Sequence, residues 1–87
     1  MVSRGYRMIF RAKQWEYLRK CWHLTAREVE VAKLVCEGWD NNQIRKKLGV
    51  TYNTARAHLG NIFRKVGVGG KAGLILQFIE VLRKAKI

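Results

Sequence analysis

Between Thr51 and Val66 the apolar residues Ala55, Leu59, Ile62 and Val66 return at the spacing of an α-helix with a single buried stripe. The remainder of the stretch is polar or small. Asn53, Ala57, Gly60 and Arg64 fall opposite the stripe, with Arg56 and Asn61 beside them. A helix divided in this way must bury one side, and its other side can lie close against a partner. Both ends are marked: Thr51 is a good N-cap, and Gly67 stands just past the last apolar position, where a left-handed residue closes a helix.

Upstream, Asp40 to Leu48 reads as a short helix. Asp40 can cap its free amides, Gln43 can reach back as in a capping box, and Ile44 and Leu48 face inward. Gly49 and Val50 then leave a turn of about three to four residues before the next helix. An ordinary helical hairpin would show the same pattern, so charge has to separate the two readings. Lys and Arg number 18 against 6 Asp and Glu, a formal charge of +12 on 87 residues. Such an excess calls for a polyanion as partner.

The length allows one small domain with a single core. Proline is absent, sustained period-two alternation is missing, and short Gly or Asn/Asp signals separate apolar segments of helical length, so an all-α fold follows. No apolar run is long enough to span a bilayer and no secretory signal core opens the chain, so a cytoplasmic, nucleoid-associated protein with no membrane partner is expected. Cys21 and Cys36 lack CxxC spacing, and His23 and His58 add no ligand pattern. Neither a metal nor a cofactor is expected, and two packed thiols suit a reducing compartment better than a disulfide. The scattered carboxylates assemble no acid–base pair or catalytic triad, so no enzyme is expected.

Residues 1–23 form a basic, aromatic-rich extension with two competing readings. Tyr6, Met8 and Phe10 alternate as a strand would, whereas Met8, Trp15, Leu18 and Trp22 share a helical face, with Phe10, Tyr17 and Cys21 as a second stripe. A helix from about Arg11 to Trp22 is favoured, with Trp15 and Trp22 as anchors over the core and the first residues as a frayed basic arm. Residues 24–87 hold the main domain. Its first helix, Ala26 to Glu37, starts at a capping box of Thr25 and Glu28, carries Val31, Leu34 and Val35 inward, and stops at Gly38. The segment Gly67 to Ala72 is a connector rather than a phosphate-binding loop, because it follows a helix and has Ala72 where a hydroxyl is required. The last helix, about Lys71 to Lys84, turns Ile75, Phe78, Ile79 and Leu82 to one face, while Leu74 and Val81 widen the apolar arc beyond what one core needs. Either a two-fold partner or the N-terminal helix covers the surplus, and Leu74, Phe78 and Val81 are the candidate dimer interface.

From Leu24 to Leu82 the chain resembles the LuxR/GerE-type helix-turn-helix output domain. LTAREVEVAKLVCEGWDNNQI is similar to that family's opening, and TARAHLGNIFRKVGV to its recognition helix. The resemblance implies a four-helix helix-turn-helix domain, here with the extra basic N-terminal helix or arm. Its third helix enters the major groove, its second helix and caps touch phosphates, and its fourth often pairs in a dimer. It implies a phosphate contact at Thr54, groove-facing positions at Arg56 and Ala57, and family matches for His58 and Lys65. Three departures stand out: Gly60 replaces a long base-reaching side chain, Arg45 replaces a small residue between the helices, and a stand-alone domain with no sensor segment before it is expected.

The sequence thus points to a sequence-specific transcriptional regulator of double-stranded DNA, dimeric on its site. Its DNA-binding candidates are Asn42, Thr51, Tyr52, Asn53, Thr54, Arg56, Ala57, His58, Gly60, Asn61, Arg64, Lys65 and Lys71. The alternatives are a sigma-like adaptor docking on RNA polymerase and a nucleoid-type binder of low specificity.

Overall fold

The computed structural model describes residues 10–87. Among them the chain is all-α, with α1 (Ala12–Trp22), α2 (Ala26–Cys36), α3 (Asn41–Leu48), α4 (Tyr52–Val66) and α5 (Lys71–Ala85). Local chemistry explains the boundaries. Glu28 N–H donates to Thr25 Oγ1 at 3.0 Å while Thr25 N–H donates to Glu28 Oε1 at 2.9 Å, so two amides at the start of α2 are satisfied reciprocally. The same exchange opens α3, with Gln43 N–H on Asp40 Oδ1 at 2.8 Å and Asp40 N–H on Gln43 Oε1 at 2.9 Å. Thr51 Oγ1 takes the Thr54 amide at 3.1 Å to start α4. Gly49 and Gly67 close α3 and α4 at φ of 71° and 83°, a region in which a Cβ would strain the backbone.

The helix α4 lies at the centre, packed against α2, α3 and α5, with Ala55, Leu59, Ile62 and Val66 buried as the spacing requires. Ile44 of α3 and Val31, Leu34 and Val35 of α2 complete that side of the core, with Leu48 partly buried against it.

The favoured helix over the N-terminal segment is present, and α1 packs on α5. Phe78 of α5 sits in an aromatic cage, its ring 5.6 Å from Trp15 and 6.3 Å from Phe10 in edge arrangements and 5.7 Å from a tilted Trp22. Gln14 Nε2 donates to the backbone oxygen of Ile87 at 3.0 Å, tying α1 to the far end of α5. The strand alternative at Tyr6 and Met8 and the arm bearing Arg4 and Arg7 lie outside the described residues, whereas Phe10 is buried in the core.

Three expectations are corrected. Leu74 and Phe78 have no exposed surface, so neither is an exterior interface residue, and Val81 is half-buried against the same core. The inward face of α5 is Leu74, Phe78 and Leu82, whereas Ile79, expected inside, is exposed. The cause is α1, which covers the Phe78 side. Both cysteines are free, but only Cys36 is packed; Cys21 is exposed. Burial, helped by the charge of neighbouring Glu37, pushes the Cys36 thiol up to about 12, so it stays protonated and inert.

Candidate nucleic-acid interface

The face of α4 opposite its buried stripe is open to solvent over its first turns. Thr51, Tyr52, Asn53, Thr54, Arg56 and Ala57 are all exposed, while His58, Gly60 and Asn61 are half-buried farther along. Capping shapes the tip: Thr51 Oγ1 donates to Thr54 Oγ1 at 2.9 Å, which leaves the Thr54 hydroxyl proton free to donate outward. No acidic residue stands in the first turn, so the positive end of the helix is unopposed. Toward the other end, Arg64 donates to the Asn61 side-chain oxygen, so these two candidates hold one another on the surface. On α3, exposed Asn42 accepts from Arg45 Nε at 2.9 Å, which draws Arg45 away from the helix crossing.

Lys65 departs from expectation. Its Nζ lies 2.7 Å from Glu28 Oε1 and 3.2 Å from the carbonyl oxygen of His23, so the ammonium is engaged within the protein rather than held out for a phosphate. The Glu28 side chain is only 7% exposed. Burial alone would raise its pKa, but the Lys65 ammonium and the Thr25 amide outweigh that and hold the carboxyl below its ordinary value. One carboxylate thus caps α2 and clamps the end of α4. The capping role was legible in sequence; the signal for the clamp was the place of Lys65 beside the apolar stripe.

Beside the open face lies a hollow of about 360 Å³ that no motif announced. Asn41 of α3, Arg56, Leu59, Gly60 and Phe63 of α4, and Gly70 and Lys71 at the start of α5 line it. Gly60 puts no side chain into it: a Cβ there would meet only Arg64 Nη1, at 3.7 Å. Asn41 Oδ1 is buried in this neighbourhood without a hydrogen-bond partner among the described residues. No group of His, Cys, Asp and Glu side chains among the described residues could hold a metal ion, and no described helix is long and apolar enough to cross a membrane.

A capped pair of helices joined by a tight turn, the second presenting an uncovered polar face, is the arrangement of a helix-turn-helix. The family model for bacterial regulatory proteins of the luxR family matches residues 23–78. The chain belongs to the luxR family. This is a family of transcriptional regulators rather than enzymes, and its matched domain is a helix-turn-helix that binds DNA. Over 60 residues the chain is 37% identical to the probable transcriptional regulatory protein SgaR of Hyphomicrobium methylovorum, covering 69% of this chain and 28% of that protein. Over 68 residues it is 31% identical to the transcriptional regulatory protein DegU of Brevibacillus brevis, covering 78% of this chain and 29% of the relative. The transcriptional regulatory protein MctR of Rhizobium johnstonii is 40% identical over 52 residues, covering 60% of this chain and 24% of that protein. The chain therefore spans less than a third of the length of these relatives. No solved structure matches it at the same standard.

Proposed function

We propose that this luxR-family domain is a sequence-specific transcriptional regulator that lays α4 in the major groove. The observation that carries the reading is the uncovered first half of α4, whose exposed Asn53, Arg56 and Ala57 project from a helix held rigidly on its other side. Arg56 is the candidate base reader, since its guanidinium can donate twice to the O6 and N7 of one guanine. Asn53 and Ala57 flank it, Thr54 and Lys71 contact phosphates, and the net charge of +12 supplies affinity for any duplex. Two copies on two half-sites complete the reading, with the exposed Leu76 and Ile79 of α5 as the apolar surface available for pairing.

Selection of bound sites from a random duplex library, followed by affinity measurement on the winner and on a scrambled duplex at fixed salt, tests this. A regulator holds its site at least about 10³-fold tighter. Equal affinity for both duplexes would instead describe a nucleoid-type binder.

A further inference from the structure

We infer that the hollow over Gly60 seats one sugar-phosphate of the DNA backbone, a contact that rests on the reading of α4 as the groove-facing helix. A glycine within a helix costs about 1 kcal/mol relative to alanine. Nothing inside the protein requires this one, because its backbone lies within regular helix and a Cβ would stand in ordinary contact with a single flexible arginine. The missing side chain therefore opens space outward, on the side of α4 that the reading turns to DNA.

The walls fit a sugar-phosphate better than a free anion or a base. The floor is apolar, made by buried Leu59 and half-buried Phe63, and takes the deoxyribose carbons. Lys71 on the rim has no acidic partner among the described residues, and the N-terminus of α5 behind it carries no side-chain cap. Its first amides and the positive end of its dipole are thus available to the phosphate. Arg56 also lines the hollow, which sets the seat beside the candidate base reader. Asn41 at the start of α3 closes the remaining side of the hollow.

The test compares Gly60→Ala, Gly60→Leu and Lys71→Ala with the parent on the selected and scrambled duplexes at two salt concentrations, with thermal melting of each variant alongside. Gly60→Ala is expected to melt at the same or a higher temperature and yet to bind both duplexes roughly 3- to 10-fold more weakly, with Gly60→Leu weaker still. Lys71→Ala is expected to flatten the salt slope by about one. A scan of uncharged methylphosphonate linkages should find one position per half-site that weakens the parent and leaves Lys71→Ala unaffected. Parent-like binding by Gly60→Ala, or a scan in which no linkage couples to Lys71, overturns the seat. A loss confined to the selected duplex overturns it too, by making Gly60 a point of base approach. A parent that binds no duplex brings down the groove reading itself, and the seat with it.

Discussion

The helices α4 and α5 have the same length and are both closed by a left-handed residue, yet the buried face of the first was fully legible in sequence and that of the second only in part. In α4 the apolar positions form a single narrow stripe and everything opposite is polar or small, so only one rotation of the helix satisfies both faces. In α5, Leu74, Ile75, Leu76, Phe78, Ile79, Val81 and Leu82 crowd the circumference, and several rotations bury a comparable apolar area. The choice among them fell to α1, whose Trp15 and Trp22 enclose Phe78 from a segment distant in sequence. It is the polar face of a helix, more than its apolar one, that tells where it sits.

The largest effect is expected from a charge placed where α5 is buried. Leu74→Glu places a carboxylate in a fully enclosed site with no partner, at a cost of about 4 kcal/mol or more, a large part of what a domain of this size possesses. Loss of the cooperative thermal transition is expected by circular dichroism. A folded Leu74→Glu protein would return that face of α5 to the exterior.

Next in size is the clamp at the end of α4. Lys65→Met leaves the Glu28 carboxylate buried without its cation, which for a pair whose lysine is partly exposed to water costs about 2 kcal/mol. The sign with pH follows from Glu28. Its folded pKa lies below the ordinary 4.5, so the stability it contributes is present above that value and is lost as pH falls through the lower folded pKa. Parent and variant should therefore differ fully at neutral pH and converge on acidification, as denaturant titrations across pH 3 to 7 can show. A constant difference over that range would mean that packing of the lysine stem, not its charge, is what α4 loses.

What could be read in sequence was whatever neighbouring residues decide between themselves. The boxes at Thr25 and Asp40, the cap at Thr51 and the closing Gly49 and Gly67 involve partners within a few positions, and all are realised. The Glu28–Lys65 pair joins residues 37 apart, and the hollow over Gly60 needs the starts of α3 and α5 to converge on α4. Neither leaves a local pattern. Gly60 was visible as a small residue opposite the stripe and as a departure from the long side chain that the resemblance implies, which says what is missing and not what the gap could hold.

On the open face of α4 a substitution should leave stability untouched. Arg56 is exposed, so Arg56→Ala is expected to melt within a degree or two of the parent, as surface changes of about 0.5 kcal/mol or less do. On the selected duplex it should cost about 1–3 kcal/mol and relax preference at one base pair. Equal losses on selected and scrambled duplexes would make Arg56 a backbone contact and shift base reading to Asn53, Ala57 and Asn61.

The smallest folding effect is expected on the outer face of α5, where the consequence should be in assembly. Leu76 is 66% exposed and Ile79 46% exposed, one turn apart on a helix whose neighbouring Glu80 is paired to Arg83 and Lys84. Their exposed surface is covered by nothing among the described residues, so Leu76→Glu removes little internal contact and should change stability by no more than about 0.5 kcal/mol. If two copies meet through this face on a two-half-site operator, the introduced carboxylates oppose each other across the two-fold axis and pairing weakens. Sedimentation on a two-half-site duplex should then show one bound copy where the parent shows two, while affinity for a single half-site stays at the parental value. Two copies of Leu76→Glu bound as tightly as the parent would leave this face of α5 out of the assembly, and α5 would serve the core alone.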